Sequence, residues 1–335
     1  LKLFSCFSGI EAASVALKPL GFKTVGLSEI DPFCCELLKQ KFPGITNFGD
    51  IKRHGTWRLS TAIDLAVGGP PCVSYSVAGQ RQGMADARGN LTLQYLSFLE
   101  RAKPRWFILE NVYGLLSSNE GKDFGTILWH LAKFGYGFAY KVFNSQYYGV
   151  PQRRRRIFIV GYLGDWRRAA AVLFEPESLQ RNLEQSEKKK GKSPGFVENS
   201  IRTKSKKIWR MTAFGQYTLS NVSSTLKARD YKDATDLVDH YCVHAKQDPI
   251  YSKNISLPLG AKDEGHAIIK NGVRRLTPVE CERLQGFPDN WTRIAYRNKP
   301  PEQCPDGPRY KAIGNSFAVP VVRWIGERIK EVDQY

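Results

Sequence analysis

The chain has 335 residues and is 42% hydrophobic, enough for one large domain plus a smaller one or for two ordinary domains, which excludes disorder as its default state. Fifty basic residues against 32 acidic ones leave a net charge of +18, which points to a polyanion partner, most often nucleic acid. There is no apolar run of the roughly eighteen residues a membrane span needs, and Leu1-Lys2-Leu3-Phe4-Ser5-Cys6 lacks a signal-peptide pattern, so a cytoplasmic protein without membrane attachment is expected.

In chain order, a first strand is predicted over Lys2–Phe7 and a helix over Glu11–Leu17, with Phe7-Ser8-Gly9-Ile10 at their junction. Glycine there lets backbone approach a ligand closely. The second strand, Thr24–Ser28, runs into Glu29, 20 residues after Gly9. A carboxylate at that place suits the two ribose hydroxyls of an adenosine-containing cofactor, although a lone strand-end acid is commonly just solvated. No complete GxGxxG stands here, which disfavours a dinucleotide. A helix over Pro32–Lys41 follows, then Gly49-Asp50-Ile51, where Asp50 could accept from an adenine amino group.

The apolar strand Ile63–Val67 leads directly into Gly68-Gly69-Pro70-Pro71-Cys72. In folds with a parallel sheet, chemistry sits beyond the carboxyl ends of strands, and two prolines would fix Cys72 there. A free thiol is only a few per cent thiolate at neutral pH, so a nucleophilic role needs positive neighbours; an inert buried thiol is the plain alternative. Val73–Asn90, with Ser74, Ser76, Gly79, Gly83 and Gly89 among Arg81 and Arg88, reads as a loop able to close over that cysteine.

Helices are predicted over Thr92–Arg101 and Phe124–Phe134, and strands over Trp106–Leu109 and Ile157–Gly161. Glu110-Asn111-Val112 ends the first of these strands, and Gln152-Arg153-Arg154-Arg155-Arg156 precedes the second. Alternate residues of an extended segment share a face, so Gln152, Arg154 and Arg156 would point one way and Arg153 and Arg155 the other. This alternation of strands and helices predicts a mostly parallel sheet with helices on both faces.

After about residue 172 the alternation stops. Glu184–Pro194, with Lys188, Lys189, Lys190 and Lys192, reads as an exposed loop, and Gln152–Arg210 holds 16 Lys or Arg against 6 Asp or Glu. Strand-like pieces stand at Gln216–Leu219 and Thr225–Ala228. Thr277-Pro278-Val279-Glu280 forms a capping box opening a helix that Gly286 ends, and Val319–Ile329 is again helical. The seven cysteines form no CxxC pair and no His-rich spacing, so neither a disulfide framework nor a metal site is expected.

Together these segments resemble the cytosine-5 DNA methyltransferases of prokaryotic and phage type, over nearly the whole chain. Phe-Ser-Gly-Ile, Ser-Glu-Ile-Asp-Pro, Gly-Asp-Ile, Gly-Gly-Pro-Pro-Cys, Glu-Asn-Val and Gln-Arg-Arg-Arg-Arg stand in the family's order. Arg275-Leu276-Thr277-Pro278-x-Glu280-x-x-Arg283-Leu284-Gln285-Gly286-Phe287-Pro288 and Gly314-Asn315-Ser316 complete it. Each match alone is weak, but eight in order are specific.

The resemblance implies a Rossmann-like α/β catalytic domain from residues 1–172 plus 310–335, with a smaller, irregular β-rich target-recognition domain from 173–309. It implies that Phe7, Gly9, Ile10, Glu29, Ile30, Asp50, Ile51, Pro71, Leu91, Asn315 and Ser316 hold S-adenosyl-L-methionine, which leaves as S-adenosyl-L-homocysteine. Cys72 would attack carbon 6 of a flipped-out cytosine, Glu110 would bind its N3 edge, and Arg154 and Arg156 would orient the base. Ser76, Arg88, Thr225 and Leu226 would contact double-stranded DNA, and aromatic residues such as Trp209, Phe214 and Tyr217 lie in the recognition region. A monomer is expected, with a cognate restriction endonuclease as a compatible partner. The chain departs from the family at Glu11, where a glycine is usual, and at Ala12, where another is frequent; Glu11 is therefore left out of the expected site.

Three rivals remain. A tRNA-modifying enzyme on the same scaffold would show Cys-Phe-Thr, which this sequence lacks. A silent DNA-binding paralogue would have lost Cys72 or Glu110. An amino-group methyltransferase would carry Asn-Pro-Pro-Tyr or Asp-Pro-Pro-Tyr in place of Pro70-Pro71-Cys72.

Overall fold

The computed structural model describes residues 1–71, 90–174, 208–213, 216–220, 222–226, 236–242 and 269–334. Cys72, Ser76, Arg88, Phe214 and the lysines of 188–192 lie outside the described residues.

Six strands form one sheet in the order β2-β1-β3-β4-β6-β5: β1 Lys2–Cys6, β2 Lys23–Ser28, β3 Leu65–Gly68, β4 Trp106–Val112, β5 Tyr136–Asn144 and β6 Arg155–Leu163. β2, β1, β3 and β4 pair in parallel, and β6 runs antiparallel to both β4 and β5. The central strands are buried on both faces, which is why they read as unbroken apolar runs. Their side chains still alternate. Leu3, Leu65, Val67, Trp106, Ile108, Phe158 and Val160 enter one core layer, and Phe4, Cys6, Ala66, Phe107, Leu109, Ile157 and Ile159 enter the other.

The first layer is closed by α1 (Ala12–Leu17), α2 (Pro32–Lys41), α5 (Trp166–Leu173) and α8 (Val319–Asp333); the second by α3 (Asn90–Ala102) and α4 (Lys122–Lys133). α2 matches its predicted bounds because its ends are written locally. Asp31 accepts from the amides of Phe33 and Cys34, Pro32 opens the helix, and Lys39 and Lys41 sit in the last turn. Ser28 and Gly68 end β2 and β3 at the same edge of the sheet as Cys6, so the turns after β1, β2, β3 and β4 converge there.

A second sheet, in the order β10-β9-β7-β8, joins Ile208–Ala213 (β7), Gln216–Ser220 (β8), Asp236–Cys242 (β9) and Ile269–Arg275 (β10), all antiparallel. The expected strand-like piece at 225–228 is not a strand in its described part: residues 222–226 contribute an isolated bridge between Ser223 and Gln152. The capping box at Thr277 and Glu280 opens α6 (Pro278–Gln285), and Gly286 closes it with φ +82°. α7 (Asp306–Asn315) leads into α8. Leu276, Cys281, Leu284, Phe287, Ile294 and Cys304 share the first core layer with β1 and α1. By packing, then, residues from 276 onward, and Leu226 before them, reach the main core. Among the described residues no helix is long and apolar enough to cross a membrane.

Candidate active site

The carboxyl edge of the sheet gathers the chemically active groups. Gly69 follows β3, and a Cβ there would run into the Phe317 ring and stand 3.2 Å from Oε2 of Glu110. Glycine at 69 thus lets the backbone, three residues before Cys72, lie beside that carboxyl. Gly68 is equally constrained by the Tyr95 ring, whose hydroxyl donates to the carbonyls of Ala66 and Ile108 and ties β3 to β4.

Glu110 is buried and pairs with Arg156, whose Nε lies 3.1 Å from Oε1. The register explains the meeting. β4 and β6 run antiparallel with Val112 opposite Arg156, so both side chains rise at one sheet end. Burial pushes the Glu110 carboxyl above the ordinary carboxylate range, while the Arg156 and Arg154 guanidiniums pull it back. The result is a carboxyl that holds its proton more readily than a solvated one.

The arginine run alternates as its spacing predicts: Gln152 and Arg154 are buried and Arg156 nearly so, whereas Arg153 and Arg155 are exposed. Arg155 stacks on the Tyr113 ring, 4.1 Å from its centroid. Arg154 does something the sequence did not indicate. It donates to the carbonyls of Leu226 (3.3 Å), Gly314 (3.3 Å) and Ser316 (2.7 Å). Burial, with Arg156 beside it, pushes its guanidinium down to about 9, still charged at neutral pH.

At the opposite side of the same edge, the turn after β1 takes left-handed conformations at Phe7 (φ +54°), Gly9 (φ +53°) and Glu11 (φ +63°). Glu29 stabilises this turn: its Oε2 accepts from the Gly9 amide at 2.7 Å and its Oε1 from the amides of Ile30 and Asp31 at 2.8 Å. Asn47 joins this acid to the next one, accepting from the Glu29 and Gly49 amides and donating to the Glu29 carbonyl. Asp50 caps the short helix 51–56 through one oxygen, bonded to the Lys52 amide at 3.0 Å. Ile30, between these acids, is 66% exposed. An apolar body is thus left in water between the Glu29 carboxylate at the end of β2 and the Asp50 carboxylate at a helix cap.

The sequence matches the family described as C-5 cytosine-specific DNA methylase across residues 1–331. The chain belongs to the C-5 cytosine-specific DNA methylase family. An Escherichia phage P1 protein described as a DNA N-6-adenine-methyltransferase is 34% identical over 97% of this chain, which spans 60% of that protein's length. Type II methyltransferase M.HaeII of Haemophilus aegyptius is 30% identical, covering 97% of this chain and 91% of its own. A solved methyltransferase structure from Entamoeba histolytica shares the fold, with a TM-score of 0.65 at 16% identity over 100% of this chain and 99% of that one.

Within this DNA methylase the structure redistributes several expected roles. Ile10 and Ile51 are buried in the two core layers, and the Ile10 carbonyl accepts from the Trp291 indole at 2.8 Å. Leu91 and Phe7 are partly buried against the same layer as Phe48, whereas Pro71 and Asn315 are exposed. Ser316 is buried, with its carbonyl on Arg154. Arg154, expected to orient the base, also brackets three carbonyls through its terminal nitrogens. Thr225 and Leu226, expected at DNA, also dock this segment: the Thr225 hydroxyl donates to the Arg153 carbonyl and the Leu226 side chain enters the core.

Asn47 and Trp291 were missed. Each acts on backbone groups of distant segments, and neither sits in a spacing that marks it. Glu11, where the family has glycine, is fully buried in the left-handed turn; its Oε1 accepts from the Ser14 amide and hydroxyl and so caps α1. The cap offsets a conformation that L-residues other than glycine adopt at a cost.

Proposed function

We propose that this DNA methylase transfers a methyl group from S-adenosyl-L-methionine to carbon 5 of a flipped-out cytosine in duplex DNA, through a covalent bond from Cys72 to carbon 6. The buried Glu110–Arg156 pair beside Gly69 carries the reading. When the Cys72 thiolate bonds to carbon 6, the C5–C6 double bond opens and charge builds on the ring. A carboxyl with a raised pKa can share its proton with N3 as that charge develops, and Arg156 can hold both the carboxylate and O2. Once carbon 5 has taken the methyl group, its proton passes to solvent water, which restores the C5–C6 double bond and releases the thiolate. When bound, S-adenosyl-L-methionine supplies the methyl group, activated by its sulfonium. Because a stacked base cannot reach these groups, it must leave the duplex, at a cost of roughly a few kcal/mol.

Glu29, Asp50, Ile30, Phe7 and the exposed Asn315 would hold the cofactor. A carboxylate offers about four acceptor sites, and three amides already use those of Glu29. Glu29→Ala is therefore expected to weaken the cofactor by loss of its own bond, about 1.5–3 kcal/mol, and further by loosening the turn at Gly9. Glu29→Gln should lose nearly as much, since an amide nitrogen cannot accept from Gly9. Asp50→Ala should cost only its single bond. Titration of the purified variants with S-adenosyl-L-homocysteine measures all three, and unchanged dissociation constants would place the cofactor elsewhere.

The phage P1 relative is described as acting on adenine N6, but this chain keeps Cys72 after Pro70-Pro71, which favours carbon 5. Incubation with radiolabelled cofactor and duplex DNA, tRNA or no acceptor tests the proposal. Label in duplex DNA at 5-methylcytosine supports it; label in tRNA or at adenine overturns it. The reading extends to a cytoplasmic monomer compatible with a cognate restriction endonuclease.

Its two-lobe organisation assigns chemistry to the main core and choice of sequence to the basic middle of the chain. Exchanging 174–272 for the segment of a relative of known target should transfer that target. A folded, active chimera that keeps the original specificity would place recognition in the first lobe.

A further inference from the structure

The stretch 152–156 touches three things at once. Arg156 holds Glu110; Arg154 holds the end of α7 through the Gly314 and Ser316 carbonyls; and the same guanidinium holds the Leu226 carbonyl. Among the described residues, 222–226 bond to this stretch at several further points, and Val222 also bonds to the Ser220 hydroxyl. The Arg153 amide donates to the Ser223 carbonyl at 3.0 Å, the Ser223 amide donates to the Pro151 carbonyl at 2.8 Å, and Thr225 donates to the Arg153 carbonyl.

We infer that Arg154 is a positioning residue that joins the docked end of the recognition segment to the 314–316 turn, so that cofactor and DNA bind cooperatively through it. The inference rests on the reading above in taking 315–316 for the cofactor side and 222–226 for the DNA side.

The Arg154 charge is hydrogen-bonded by backbone carbonyls. Arg154 is 3% exposed, its nearby acid Glu110 is bonded to Arg156, and its own Nε is buried without a partner. A buried cation held only by carbonyls loses much when any one of them moves, because no water replaces it. A shift of the Ser316 carbonyl therefore changes how firmly the fork holds Leu226. Conversely, a ligand that orders 314–316 orients the fork for Leu226 in advance. Lysine cannot reproduce this: one ammonium has no planar fork to span carbonyls from two segments.

The test is a linkage measurement on the full chain. The dissociation constant of a duplex containing the target site is measured with and without saturating S-adenosyl-L-homocysteine. For wild type the two values should differ by a coupling factor, roughly 5–150-fold where such coupling exists, and cofactor titration with and without DNA should return the same factor. In Arg154→Lys the factor should fall toward one while each ligand still binds alone. Thr225→Ala removes a docking bond without disturbing the buried guanidinium, and should lower the factor partway; it serves if Arg154→Lys does not fold. A wild-type factor of one, or an unchanged factor in a folded variant, overturns the inference. Failure of wild type to bind duplex DNA or cofactor at all would instead overturn the functional reading.

Discussion

Cys72→Ala is expected to abolish methyl transfer, by at least roughly four orders of magnitude as for loss of other covalent nucleophiles, while cofactor binding stays measurable. The position rests on its neighbours. β3 delivers Gly68-Gly69-Pro70-Pro71 to the sheet edge, and the Gly69 backbone lies beside the Glu110 carboxyl. The loss is that of a bond rather than of a contact, because no other group in the proposed cycle can open the C5–C6 double bond. Duplex DNA with 5-fluorocytosine at the target should trap wild type as a denaturation-resistant adduct, since fluorine cannot leave as the proton does. Cys72→Ala should form none. A variant that still methylates, or that still forms the adduct, would end the proposed mechanism.

Glu110→Gln is expected to lower kcat by about 10²–10⁴-fold, the usual range for a lost acid–base group, with little change in cofactor affinity. The amide keeps the shape and a donor at N3 but cannot pass a full proton to the ring. Burial raises the Glu110 pKa, so the protonated, donating form predominates below that pKa and declines above it. Wild-type kcat should therefore fall on the alkaline side as pH rises through this raised value, and Glu110→Gln should lose that limb. The stability sign agrees: a carboxyl with a folded-state pKa above its unfolded value contributes stability fully below the unfolded value and loses it as pH rises through the folded one. Arg156→Ala removes the compensating charge, which pushes Glu110 further up and leaves it unpaired, a change worth about 3–5 kcal/mol for buried pairs. Its melting temperature should drop more at high pH than at low pH. A pH–rate profile for Glu110→Gln that retains the wild-type alkaline limb would assign that limb to another group.

Sequence alone determined whatever is written within a few residues of itself. The central strands announce themselves as apolar runs, α2 and α6 carry their caps and prolines, and Glu29 after β2 and Glu110 near the end of β4 stand at the edge where this fold does chemistry. The period-two reading of Gln152–Arg156 agrees with the alternation of buried and exposed arginines, although β6 itself begins only at Arg155.

Tertiary structure decided the rest. β5 went unpredicted because Gly137 and Lys141 interrupt its pattern; the glycine is there because a Cβ would strike the Trp166 backbone of α5, itself unpredicted. The side chains of Ile10 and Ile51 lie in the core, since a residue next to a turn can face either way and only packing selects. Asn47, Trp291 and Arg154 bond to backbone groups, and a carbonyl has the same chemistry in every residue. The partners of Arg154 stand 72, 160 and 162 positions away, at Leu226, Gly314 and Ser316, and none has a side chain that would advertise the bond. An arginine in a basic run is legible as charge, but what it holds is set by which loops the folded core brings to it.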